Sequence, residues 1–143
     1  MNARPLSGRT AIITGAGRGL GKSMAIGLAS QGSQVALLDI EEDILLHAKR
    51  EVEAAGGQGC AFSLTCDVTD VENVNVAVKQ TIENFGGIDI LINDAAMGPQ
   101  YFTKDFTKNT PNFWEMNIEL WQRVLTVNSF GPHVMAVAIA PYL

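Results

Sequence analysis

The stretch Thr14-Gly15-Ala16-Gly17-Arg18-Gly19-Leu20-Gly21 constrains this chain more tightly than any other. A short apolar run, Ala11, Ile12 and Ile13, precedes it, and a helical pattern with Leu20, Met24 and Leu28 on one face follows. Strand, glycine turn, helix is the layout of a phosphate site. Glycines let a backbone turn tightly and approach a ligand closely, while a helix start presents free N–H groups and the positive end of its dipole.

Three templates compete for this stretch. The fingerprint G-x-G-x-x-G is not met, because the sixth position counted from Gly15 is Leu20. The P-loop pattern nearly fits as Ala16-x-x-x-x-Gly21-Lys22-Ser23, with alanine replacing the first glycine. Taken alone, that version describes an ATP or GTP hydrolase. The third spacing is Thr14-Gly15-x-x-x-Gly19-x-Gly21. The rest of the chain has to choose between them.

Strand and helix patterns alternate from there on. Gln34-Val35-Ala36-Leu37-Leu38-Asp39 is a nearly continuous apolar run, which suits a parallel strand covered by helices on both faces. Glu41 to Ala55 places Ile44, Leu45, Ala48, Val52 and Ala55 at helical spacing. Its acidic start suits the helix dipole, and Gly56-Gly57 stops it. Gln58 to Cys66 reads as a third strand. Asp70 reads as the N-cap of a helix with Val71, Val74, Val78, Ile82 and Phe85 on one stripe, ended by Gly86-Gly87. Ile88 to Ile92 is the fourth strand, and its outer edge finds no further strand to pair with. A polar and aromatic loop spans Asp94 to Asn117, with a helical turn around Phe113-Trp114. The last helix begins near Ile118, uses Ile118, Trp121, Leu125, Met135 and Ile139 as apolar positions, and is expected to kink at Gly131-Pro132. Phe113, Trp114 and Trp121 are expected to be packing residues.

This alternation implies parallel βαβ units with right-handed crossovers, hence an α/β, doubly wound sheet of Rossmann type. The expected strand order is 3-2-1-4, with a ligand crevice at the carboxyl ends of the strands. The chain of 143 residues is 47% hydrophobic and 17% charged, the balance of a single globular domain. Its net charge of -5 argues against a nucleic-acid or anionic-membrane surface. Met1 to Arg9 holds no apolar core of signal-peptide length, and no stretch reads as a membrane span, so a cytoplasmic location is expected. Cys60 and Cys66 would lie on one strand, roughly 20 Å apart and too far for a disulfide. His47 and His133 are isolated, and nothing has metal-ligand spacing.

Asp39 ends the second strand, 24 positions after Gly15. An acidic residue about there accepts from ribose hydroxyls and repels a 2′-phosphate. Four matches, taken together, identify the chain as resembling the short-chain dehydrogenase/reductase family. Thr14 to Gly21 is similar to its cofactor turn, and Cys66-Asp67-Val68 resembles the Asp-Val pair that flanks adenine. Asn93-Asp94-Ala95-Ala96 is similar to the family's Asn-Asn-Ala-Gly, departing at two positions. Leu125-Thr126-Val127-Asn128-Ser129-Phe130-Gly131 resembles the helix segment whose Asn belongs to the catalytic tetrad.

The resemblance implies roles. Gly15 permits the turn, Gly19 lets the backbone approach a pyrophosphate, and Gly21 lets the helix pack on the sheet. Arg18 and Leu20 lie along the phosphate path. Asp67, beside Val68, accepts from the adenine amino group, and Asn93 and Ala95 border the adenosine. Asn128 holds, through its main chain, a water in a proton relay. Asp94 puts a negative charge where an amide is usual. The implied function is hydride transfer between NAD(H) and a small hydroxyl or carbonyl substrate, with NAD favoured over NADP by Asp39 and opposed by Arg18, and with a homo-oligomer for the complete protein. Residues 1–143 would then be the dinucleotide-binding domain, truncated on its C-terminal side. The family's Ser and Tyr-x-x-x-Lys are not found: the tyrosines are Tyr101 and Tyr142, and neither has Lys four positions on. A non-catalytic dinucleotide-binding or interaction module is the alternative, and a P-loop NTPase the more distant one.

Overall fold

A computed structural model describes residues 5–105 and 107–143; residues 1–4, at the start of the segment read for a leader, and Phe106, within the long loop, lie outside the described residues. Four strands and their helices alternate: β1 (Thr10–Thr14), α1 (Gly19–Ser30), β2 (Gln34–Asp39), α2 (Glu42–Gly56), β3 (Ala61–Thr65), α3 (Val71–Phe85) and β4 (Ile90–Asn93). The sheet is parallel with order β3-β2-β1-β4, as expected. After β4 come single 3-10 turns at Pro99–Tyr101 and Phe113–Glu115, then α4 (Ile118–Leu125), a π turn (Thr126–Phe130) and α5 (Gly131–Ile139).

The central strands explain the unbroken apolar runs. Neighbouring residues of a strand face opposite sides of the sheet. Ile12, Ala36 and Leu38 therefore pack against Val74, Ala77 and Val78 of α3 and Val134, Met135 and Ile139 of α5. Ile13, Val35 and Leu37 pack on the other side, against Ala25 and Ala29 of α1 and Leu45, Ala48 and Val52 of α2. Both faces of β1 and β2 are dry, so polarity never alternates.

Several boundaries move. Helix α1 buries Gly21, Ala25 and Ala29, whereas Leu20 is 73% exposed. Small side chains form the buried stripe because the backbones come close: a Cβ on Gly56 of α2 would stand 2.7 Å from that of Ala29. β3 begins only at Ala61, because Gly57 and Gly59 take positive φ and the Gly59 N–H is held by Glu53 Oε1 at 3.0 Å. Cys60 and Cys66 thus flank the strand, and both are free. Burial, with the nearby Asp67 and Asp70 carboxylates, pushes the Cys66 thiol up to about 11. β4 starts later than expected because Asp89 is taken up at its threshold. Its Oδ2 accepts from Thr10 N at 2.9 Å and its Oδ1 pairs with Arg9. Those contacts, the Thr10 N–H first, hold its carboxyl below the usual range. Asp70 caps α3 as expected, its Oδ1 accepting from Glu72 N at 2.9 Å and Asn73 N at 3.1 Å.

The discontinuity expected at Gly131-Pro132 takes the form of the π turn just ahead of it. Gly131 serves close packing, since a Cβ there would lie 2.6 Å from Val68 Cγ2. Contrary to the expectation for membrane spans, the helical run Ile118–Tyr142 is long and apolar enough, by length and composition, to cross one. Its buried Val124, Val134, Met135 and Ile139 face the domain instead. Phe113 (79% exposed), Trp114 (70%) and Trp121 (47%) do not pack into the core as expected. The rings of Phe113 and Trp114 meet each other, and Trp121 meets Phe102. Ile118 and Leu125 are exposed too.

Candidate cofactor site

A cleft of about 690 Å³ opens at the carboxyl ends of the strands. The glycine turn forms its floor. Gly15 has φ +65° and lies against the segment after β4, where a Cβ would come within 2.8 Å of Ala95 N. Gly19 has φ +58° with nothing within 4 Å of its missing Cβ, so the helix start is left open to the cleft. Gly21 sits behind the turn. A Cβ there would collide with the Gly15 carbonyl oxygen and stand 2.9 Å from Asp94 Oδ2. Helix α1 has no side-chain cap and no acidic residue in its first turn. Its first N–H groups and dipole end are available to an anion.

Thr14, 1% exposed, ties the floor to the wall. Its Oγ1 accepts from Asp94 N and Ala95 N, both at 3.1 Å. The motif had given this hydroxyl no role, although a Thr closing an apolar strand was its signal. Asp39 is held by three main-chain donors: Gly17 N to Oδ2 at 3.0 Å, Ile40 N to Oδ1 at 2.8 Å and Glu41 N to Oδ1 at 3.3 Å. Such a carboxylate is fixed in place before any ligand arrives. Asp67 Oδ1 accepts from Thr69 N and Oγ1 at 2.9 and 2.7 Å.

Of the residues expected at the site, Gly15, Arg18, Gly19, Leu20, Asp39, Asp67, Val68 and Ala95 line the cleft. Gly21, Asn93 and Asn128 do not. Gly21 packs behind the turn, and Asn93 ends β4 in register with Thr14. The Asn128 side chain clamps the loop after β4, its Oδ1 accepting from Met97 N at 2.8 Å and its Nδ2 donating to Met97 O at 3.0 Å. Met97, Tyr101, Leu120 and Arg123 form a further wall that sequence reasoning missed. They come from a loop and a helix without a motif.

The P-loop template fails in space. Lys22 Nζ, which that template would aim at phosphates, lies 2.8 Å from Glu51 Oε1 on α2. His47 Nδ1 meets the same oxygen at 2.7 Å. The Lys22 bond above all holds the Glu51 carboxyl below its ordinary range. Among the described residues no cluster of His, Cys, Asp and Glu could hold a metal ion.

The comparisons agree with this geometry. Residues 9–143 match the model of the short chain dehydrogenase family. The 7alpha-hydroxysteroid dehydrogenase of Escherichia coli K12 is 33% identical over 136 residues, which cover 95% of this chain and 48% of that protein. A metagenomic short-chain oxidoreductase solved in complex with NADP superposes with a TM-score of 0.81 at 31% identity, over 95% of this chain and 57% of that one. The 3-ketoacyl-(acyl-carrier-protein) reductase of Brucella melitensis, complexed with NADH, gives 0.83 at 28% identity, over 96% and 51%. The chain thus spans about half the length of such relatives.

Proposed function

The chain belongs to the short-chain dehydrogenase/reductase family, and from that premise we propose that its cleft binds NAD(H) as the cofactor half of an oxidoreductase acting on a small hydroxyl or carbonyl substrate. The residues suit the group: an uncapped helix start beside an open Gly19 fits a diphosphate, and the fixed Asp39 fits a ribose diol. The nicotinamide, when bound, supplies the hydride donor or acceptor. Gly15 and Gly19 bring main chain to the phosphates, Arg18 and Leu20 line their path, and Asp67 and Val68 with Ala95 enclose the adenosine. Asn93 supports that wall from the end of β4. Asn128 contributes through its main chain, while its side chain fixes the Met97 loop. A complete protein of this kind would be a homo-oligomer.

The observation that carries the preference for NAD is the carboxylate of Asp39. Its three N–H partners fix it at the ribose end, and a 2′-phosphate would have to approach it. Losing hydrogen bonds to a charged group costs about 1.5–3 kcal/mol. Calorimetric titration of the chain with NAD and NADP tests this. NAD is expected to bind more tightly, and Asp39→Ala to erase the difference; tighter NADP binding, or an unchanged preference in the variant, overturns the assignment.

A further inference from the structure

We propose that Glu41 is a positioning residue for cofactor choice: by engaging Arg18 it draws the guanidinium away from a 2′-phosphate. This inference rests on the reading of the cleft as a dinucleotide site. Arg18 sits at the start of α1 in extended conformation, and its Nη2 lies 2.8 Å from Glu41 Oε1 across the turn after β2. Glu41 is tied to the ribose end by its own main chain, which donates to Asp39 Oδ1 at 3.3 Å. Two carboxylates and one guanidinium therefore meet at one corner of the cleft, leaving it negative. The other arginine lining the cleft, Arg123, is on α4.

A guanidinium is well suited to a phosphate because its fork can donate two parallel hydrogen bonds. Glu41 engages one nitrogen of that fork, and a phosphate taking the remaining donors would sit beside two carboxylates. Read by motif alone, Arg18 favours NADP; read with its partner, that preference is opposed. The pair is exposed, its side chains 66% and 47% accessible, so its hold is modest and its removal does not disturb the core.

The test is a double-mutant cycle on the whole chain, read as calorimetric affinities for NADP and NAD. Glu41→Gln is expected to tighten NADP by about fivefold, with NAD changed less than about twofold. Compared with Arg18→Ala alone, the Arg18→Ala, Glu41→Gln double variant is expected to show no further gain for NADP. Glu41→Asp, which keeps the charge, is expected to keep the preference; a side chain needed only for packing would not separate these variants. If NAD binds but Glu41→Gln leaves the NADP-to-NAD ratio unchanged, or the gain survives Arg18→Ala, the role of Glu41 is overturned while the cleft assignment stands. If neither dinucleotide binds any form, the cleft assignment falls and this inference falls with it.

Discussion

The glycine turn and the α4 side of the same cleft are built in opposite ways. Around the turn, short side chains pin the main chain: Thr14 Oγ1 accepts from Asp94 N and Ala95 N, Asp39 Oδ2 accepts from Gly17 N, and Gly21 backs onto Gly15. On the α4 side, Ile118, Trp121, Leu125 and Phe130 are exposed, and Asn128 is the side chain that ties the π turn to the loop. A floor pinned by buried and main-chain-bonded groups is in place before a ligand arrives, whereas the α4 side leaves large apolar groups uncovered. On the proposed reading the floor serves cofactor binding and the α4 side faces the substrate.

The largest expected effect is on turnover. With no Tyr–Lys pair to exchange a proton with the substrate oxygen, hydride transfer would leave an unassisted alkoxide, and general acid–base help amounts to about 10²–10⁴-fold. This chain is expected to bind cofactor yet show no alcohol or ketone turnover, followed by nicotinamide absorbance over a substrate panel. Activity well above background that disappears in Asn128→Ala would show that the α4 side is complete.

Next in size is association. Among the described residues β4 bonds only to β1, so its outer N–H and C=O groups can template another strand. At about 25 cal/mol per Å², a few hundred Å² of uncovered apolar surface forgoes several kcal/mol, comparable with a whole domain's stability. Sedimentation velocity is expected to show self-association, reduced by Ile118→Lys, whose side chain is 82% exposed and bears no core contact to lose. A monodisperse monomer with a cooperative, high-temperature transition would contradict this.

What could be read from the sequence follows the same division. The sheet order was legible because β1 and β2 are apolar on both faces, and the glycine spacing located the turn. The buried face of α1 was misjudged because close packing selects Gly21, Ala25 and Ala29, residues that a search for large apolar side chains passes over. Arg18 and Glu41 lie 23 positions apart, and no local pattern joins them. Asn128 was legible as a position, but its clamp on Met97 depends on how a motif-free loop returns. Phe113 and Trp114 were expected to pack because aromatic rings usually do; here they meet chiefly each other.

A sharper contrast lies within α1 itself. Gly21→Ala puts a methyl into the Gly15 carbonyl oxygen, and overpacking of this kind costs about 1–3 kcal/mol. Gly27, in the same helix, has nothing within 4 Å of its missing Cβ, so Gly27→Ala should stabilise by about 0.5–1 kcal/mol through helix propensity. Thermal unfolding is expected to move in opposite directions for the two variants. If both shift the same way, close backbone approach is not what shapes the floor.

The smallest expected effect concerns Asp94, the carboxylate nearest the start of α1. Its main-chain N–H is engaged by Thr14, and its Oδ2 reaches toward Gly21 at the start of α1. There it occupies the same favourable helix field that a diphosphate would use, and it adds a like charge to the approach. Solvent in the open cleft screens the repulsion, which places it at about 0.5–1 kcal/mol. Asp94→Asn should therefore tighten NAD by about two- to fivefold and raise the gain at low ionic strength, where screening is weaker. Titrations at two salt concentrations measure both. Weaker binding in the variant would mean that the carboxylate supports the turn, as the Thr14 hydroxyl does.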